Sequence, residues 1–266
     1  MATTRRPSFP ARLDTLAPTK SLPPQAPRRP AQPQASLAAA RPVAAPQGLG
    51  LDSSAVRARM VQKLAQQGIT DTQVLAAMGT VERHRFVDSA LVNQSYEDTS
   101  LPIGLGQTIS KPNVVARMLE LLMGGRRDAQ GKLGRVLEIG TGCGYQAAVL
   151  SLLATEVYSI ERLRGLHEKA RSNLRALRVP NLHLLLGDGM IGYEKGAPYA
   201  GIIAAAGGDA LPQAWTEQLA IGARLVAPMA TAEGRQALIV VEKTAQGLKQ
   251  SVLEAVQFVP LKSGIA

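Results

Sequence analysis

The sequence predicts an α/β fold: a mostly parallel sheet with helices on both faces, preceded by helical elements and closed by an antiparallel strand pair. Three observations carry this. From residue 135 short apolar runs alternate with amphipathic stretches, a glycine-rich turn follows the first run, and two extended segments flank Gly247. Strands that alternate with helices pair in parallel, because a crossover helix must carry the chain back to start the next strand.

Helical spacing begins after Asp52-Ser53-Ser54, which can cap a helix bearing Val56, Met60 and Leu64 on one face. Gly68 can end that helix, and Asp71 can cap a second that holds Val74, Leu75 and Met78. A short helical stretch, Phe86 to Leu91, comes next. The segment from Tyr96 to Pro112 has no sustained period and reads as a long loop, which is uncommon in a compact domain unless it serves a site. Val114, Val115, Met118, Leu119 and Leu122 restore helical spacing.

Arg135 to Ile139, Val157 to Ile160, Leu182 to Leu186 and Tyr199 to Ala204 read as strands. Between them lie helices at Tyr145 to Leu153 and along the stripe Leu163, Leu166, Ala170, Leu174 and Leu177. Pro212 to Leu219 is helical and Arg224 to Pro228 extended. Leu238 to Glu242 and Val252 to Pro260 form the closing pair.

With 266 residues, 45% of them apolar, the chain can bury a large single core, and its longest apolar runs are too short for a membrane span. A single cysteine, Cys143, excludes an internal disulfide and fits a reducing compartment. His84, His167 and His183 share no ligand spacing with it, so no metal is expected. The formal charge of +10 is concentrated at the start: residues 1–50 hold seven basic residues against one acid, leaving +4 on the rest. Nine aromatic residues in all give few stacking platforms, so no nucleic-acid partner is expected. Residues 1–50, rich in Pro, Ala and Arg, read as a disordered tail, with a transit peptide or an anion-binding arm as alternatives. Residues 51–266 form the folded domain.

The chemistry concentrates in Val136-Leu-Glu-Ile-Gly140-Thr-Gly142-Cys-Gly144-Tyr145. Gly140, Gly142 and Gly144 stand between a strand and a helix, where the backbone turns sharply and approaches a ligand. Glu161, 21 residues beyond Gly140 at the next strand end, can accept both hydroxyls of a ribose. A dinucleotide fingerprint places its third glycine one residue later, where Tyr145 stands. Acidic Glu138 before the loop would repel a pyrophosphate and attract an ammonium group. S-adenosyl-L-methionine therefore fits better than NAD. The turn Gly187-Asp188-Gly189 ends the third strand, and Asp188 can accept from an adenine amino group. Cys143 has no His partner and reads as a small loop residue.

The glycine loop resembles that of class I methyltransferases. Upstream, Tyr96-Glu-Asp98-Thr-Ser-Leu-Pro-Ile-Gly104-Leu-Gly106-Gln107-Thr108-Ile-Ser110-Lys-Pro112 resembles the signature loop of the protein-L-isoaspartate O-methyltransferases. Arg83-His84-Arg-Phe86-Val87 and Val256-Gln-Phe258-Val-Pro260-Leu261 are similar too, so the resemblance covers about residues 53–262. It implies a Rossmann-like fold, with a helical and substrate-loop region over 51–125 and a cofactor-binding sheet over 135–260. It also implies transfer of the cofactor's methyl group to the free carboxylate of an isoaspartyl residue in damaged peptides and proteins, leaving S-adenosyl-L-homocysteine. By the same resemblance Ser110 is the active-site serine, and Gln107 and Thr108 line its pocket. A cytoplasmic monomer is expected. A different carboxylate or small-molecule acceptor is the alternative. The chain departs from the family pattern at Glu82, at Ala200, across Ala204-Ala-Ala-Gly-Gly208 and at Ile221-Gly-Ala, chiefly on the acceptor side.

Overall fold

A computed structural model describes residues 54–266. The expected tail over 1–50 and the capping residues Asp52 and Ser53 lie outside the described residues. Helices α1 (Ser54–Gln66) and α2 (Thr72–Thr80) come first. Asp71 caps α2 as expected, its Oδ1 accepting from the backbone N–H groups of Gln73 and Val74 at 3.0 Å each. The stretch expected as one helix over 86–91 is instead two short helical pieces, Arg83–Phe86 and Ser89–Gln94. Extended backbone at Val87 and Asp88 separates them.

The segment read as loop from Tyr96 to Pro112 contains a hairpin, β1 (Leu101–Gly104) with β2 (Gln107–Ile109). Its tip carries three consecutive residues at positive φ, Gly104, Leu105 and Gly106, which tight reversal of so short a pair requires. Helix α3 (Pro112–Met123) follows directly, with Pro112 in its first turn.

The main sheet comprises β3 (Leu133–Ile139), β4 (Ala154–Glu161), β5 (Leu182–Leu186), β6 (Tyr199–Ala204), β7 (Leu219–Ala230), β8 (Gln236–Thr244) and β9 (Gly247–Val256). Its spatial order is β5-β4-β3-β6-β7-β8-β9. The first five strands pair in parallel, and β7–β8 and β8–β9 are antiparallel. The closing pair is thus present, but its second strand runs over 247–256 rather than 252–260; residues 257–260 leave the sheet.

Both faces of the central strands are apolar, and strand parity divides them. Val136, Ile203, Val226 and Val240 join one buried cluster with α3, α4 (Tyr145–Leu153) and the Leu166, Ala170 and Leu174 stripe of α5 (Arg164–Arg175). Leu137, Ile202, Leu225 and Val241 join the other, with Trp215 of α6 (Gln213–Gln218). The chain leaves β3 for β4 and β5 on one side, then returns to place β6 on the other. This order reversal opens a crevice at the carboxyl ends of β3 and β6, where ligands of open α/β sheets bind.

Candidate active site

At that crevice lies a cavity of about 420 Å³. Backbone bonds lock the strand ends that frame it. Gly140 N and Thr141 N donate to the Ile160 carbonyl at 2.8 and 3.2 Å, and Ala205 N donates to Ile139 O at 2.8 Å. The glycine loop needs its glycines for distinct reasons. Gly140, Gly142 and Gly144 all have positive φ. A Cβ at Gly144 would also lie 2.8 Å from Leu174 Cδ1, where the loop enters α4.

Gly140, Gly142, Glu161 and Gly189 are brought together on the cavity wall with Gln107, Thr108 and Ser110. Glu161 is buried, and each carboxylate oxygen holds one backbone N–H: Oε2 accepts from Gly142 N and Oε1 from Leu163 N, both at 2.9 Å. A carboxylate oxygen has two lone pairs, so each retains capacity for a ligand hydroxyl. Gly189 allows close packing, since a Cβ there would lie 2.5 Å from Ile139 Cγ2.

Three expected cofactor residues do not reach the wall. Gly144 lies behind it. Glu138 is 0% exposed and sits under the loop, paired in register with Ser159 on β4 and Ile203 on β6. It accepts a very short hydrogen bond from Ser159, whose hydroxyl also shares a 2.6 Å bond with Thr141. Burial pushes the Glu138 carboxyl up to about 8, although Ser159 and Gln146 favour its charged form. Asp188 is tied to its own surroundings: Oδ1 accepts from Met190 N at 2.8 Å and Oδ2 from Gly264 N at 2.7 Å.

Beyond Gln107, Thr108 and Ser110, two further parts of the wall were not assigned from the sequence. The β1–β2 hairpin contributes Ile103 and Leu105, and Lys169 of α5 holds it by donating to Ile103 O at 2.8 Å. Opposite, Val259 to Lys262 cross the rim as a strap. Backbone bonds fasten the strap, with Gly207 N donating to Val259 O at 2.8 Å and Leu261 N to Gly207 O at 2.7 Å. The departure at Gly207 has a steric reason. A Cβ there would lie 2.3 Å from Gln236 Nε2, and the same side chain's Oε1 accepts from Phe258 N at 2.7 Å. Glu82, another departure, lies at the surface against Arg85 at 2.7 Å.

A second, adjoining groove of about 680 Å³ shares Thr108, Ser110, Ala205 and Val259 with the first cavity. Ser110 therefore stands at the junction of two spaces. Lys111 is the charged side chain among the described residues that line the groove. Burial pushes the Cys143 thiol up to about 11, so it stays protonated near neutral pH and is a poor nucleophile. Among the described residues no group of three His, Cys, Asp or Glu side chains could hold a metal, and no helix is long and apolar enough to cross a membrane.

Residues 55–266 match the family model described as protein-L-isoaspartate(D-aspartate) O-methyltransferase. A protein-L-isoaspartate O-methyltransferase of Methylibium petroleiphilum is 56% identical over 263 residues, covering 97% of this chain and 96% of its own. The enzyme of that name from Leptothrix cholodnii is 58% identical over 243 residues, covering 91% and 84%. Among solved structures, a protein-L-isoaspartate O-methyltransferase superposes with a TM-score of 0.70 at 28% identity, over 79% of this chain and 67% of that one. A beta-aspartate methyltransferase from Plasmodium falciparum in complex with S-adenosyl-L-homocysteine shares the fold, with a TM-score of 0.66 at 23% identity over 77% and 98%.

Proposed function

The chain belongs to the protein-L-isoaspartate(D-aspartate) O-methyltransferase family, and from that premise we infer that it methylates the free carboxylate of L-isoaspartyl residues in damaged peptides and proteins. The observation that carries the reading is the position of Ser110, on the wall of both the first cavity and the adjoining groove. One space takes the methyl donor, the other the peptide, and the serine stands where they meet.

The residues present fit S-adenosyl-L-methionine. The free lone pairs of Glu161 suit two vicinal hydroxyls, the open backbone around Gly140 and Gly142 admits a close approach, and no phosphate-seeking cation stands on the loop. When bound, the sulfonium nucleoside supplies an electrophilic methyl group and leaves as S-adenosyl-L-homocysteine. Glu138 serves this site from beneath, bracing the loop through Ser159 and Thr141. Asp188 anchors the rim on the side expected to receive the base.

The acceptor asks little of the protein. An isoaspartyl carboxyl group is ionised near neutral pH, so no strong general base is required. The Ser110 hydroxyl donates to one carboxylate oxygen and leaves the other aimed at the methyl group. Thr108 and Gln107 shape the same junction. The carboxylate loses its charge as the ester forms, so a dry site favours the reaction by stripping hydration from the anion. The hairpin at Leu105 and the strap at Val259 to Lys262 flank the cavity. The ester carbonyl is then attacked by the neighbouring backbone amide nitrogen with loss of methanol, and water can reopen the resulting succinimide to normal aspartate.

The same reading takes the protein as a cytoplasmic single chain with no metal and no nucleic-acid partner, on the grounds of one cysteine, scattered histidines and few aromatics. The product distinguishes it from a different acceptor. With a labelled methyl donor and an isoaspartyl peptide, the label is expected in a base-labile ester that is lost as the peptide closes to succinimide. A base-stable methylated product would refute a carboxylate acceptor.

A further inference from the structure

We propose that Arg83 is a positioning residue of the transfer site, one that fixes Ser110 by clamping both ends of the substrate loop. The inference rests on the reading of Ser110 given above. Arg83 is 0% exposed although it bears a guanidinium. Its Nε donates to the Ser95 carbonyl and its Nη2 to the Ser110 carbonyl, each at 2.7 Å. Ser95 immediately precedes the loop that begins at Tyr96, and Ser110 lies near its end. The guanidinium also stacks 4.8 Å over the ring of Tyr145, the residue that opens α4 and lines the cofactor cavity. One side chain thus joins the two ends of the substrate loop to the helix that carries the glycine turn.

Solvation alone opposes such a placement. Burial holds the Arg83 pKa below its ordinary value, and among the described residues no carboxylate forms a salt bridge with it. A buried cation without an ion-pair partner is costly, and an apolar side chain of similar volume would pack there without that penalty. What an apolar side chain cannot do is hold two carbonyls at fixed separation. The planar guanidinium presents several donors in a rigid fork, whereas a lysine ammonium is a point charge on a flexible stem.

Ser110 lies between Ile109, which pairs with Leu101 in the hairpin, and Lys111, whose carbonyl accepts from Val115 N at 3.1 Å; Arg83 adds the side-chain bond to the Ser110 carbonyl itself. Lys111, at the start of α3, makes no side-chain cap, and the neighbouring contact is Asp98 Oδ1 accepting from Asn113 N at 2.9 Å. Misplacing a reacting group by about 1 Å can cost on the order of 100-fold in rate.

The test is a double-mutant cycle in the full chain, with Arg83→Lys and Ser110→Ala made singly and together. Turnover of an isoaspartyl peptide, affinity for S-adenosyl-L-homocysteine and melting temperature are read on each. Arg83→Lys is expected to lower kcat by about 10- to 100-fold, while inhibitor affinity stays within about twofold. Most of that loss is expected to vanish in the Ser110→Ala background, because Arg83 acts through Ser110. Additive losses, a fall in inhibitor affinity as large as the fall in kcat, or unaltered turnover would overturn the proposal. Arg83→Gln, which keeps a donor without the charge, serves as a second variant if the lysine form does not fold. Failure of the underlying functional reading would show in the wild-type chain, before any variant is compared.

Discussion

Glu161 and Gly142 are joined by a 2.9 Å hydrogen bond from the loop N–H to Oε2, so the residue expected to grip the ribose also sets the shape of the turn around it. A second bond, from Leu163 N to Oε1, holds the other oxygen. Glu161→Gln replaces one acceptor with an NH₂ that must face one of these N–H groups. Affinity for S-adenosyl-L-homocysteine is expected to fall at least about tenfold by calorimetry, since about 1.4 kcal/mol corresponds to that factor. Undiminished heat and affinity would remove Glu161 from the cofactor site.

Ser110→Ala isolates the junction. The variant keeps the backbone and the Arg83 bond to its carbonyl, and loses the hydroxyl alone. Turnover is expected to drop by about 10- to 100-fold through lost alignment. Inhibitor affinity should hold within about twofold. Kinetics equal to the wild type would clear Ser110 of its role.

Glu138 makes stability depend on pH. Its folded carboxyl is pushed up to about 8, while a Glu in an unfolded chain titrates near about 4.3. Between these values the folded chain keeps a proton that the unfolded chain has released. Its contribution therefore falls as pH rises through that window and levels off above it. Glu138→Gln cannot titrate, so the melting temperature should decline less between about pH 5 and pH 8. A decline as steep as that of the wild type would mean that Glu138 is ionised in the fold.

Asp188→Asn tests the hold on the segment that follows the strap, at Gly264. The carboxylate accepts from Met190 N on one oxygen and Gly264 N on the other. An amide can keep only one of the two, at a cost of about 1–2 kcal/mol. Amide hydrogen exchange near Gly264 should accelerate in the variant. Exchange as slow as in the wild type would show that other bonds hold the segment.

Much of this architecture can be read from residues alone because fully buried parallel strands leave a plain signal. Val136 to Ile139 and Tyr199 to Ala204 are short, mostly apolar runs, and the three glycines mark the turn from the first of them into α4. Asp71 was legible as a cap because its acceptor serves its own neighbours in sequence. The hairpin at 101–109 was hidden, since strands of four and three residues interrupted by Pro102 and glycines show no period of two. Glu138 looked like a ligand-facing acid because it adjoins the loop. Strand parity and pairing with Ser159 put it underneath instead. Arg83, followed by His84 and Arg85, carries no local mark of its burial in the sequence. Its partners at Ser95 and Ser110 are 12 and 27 residues away, and only the tertiary fold brings them together. The strap at Val259 to Lys262 is held by backbone bonds to Gly207, which no side-chain pattern announces.

The central claim is most directly tested by offering the chain two peptides identical except for one linkage, aspartyl in the first and isoaspartyl in the second, with S-adenosyl-L-methionine in excess. Methyl incorporation is predicted for the isoaspartyl peptide, with at most background labelling of its normal counterpart. Equal labelling of the pair, or labelling of neither, would contradict the account.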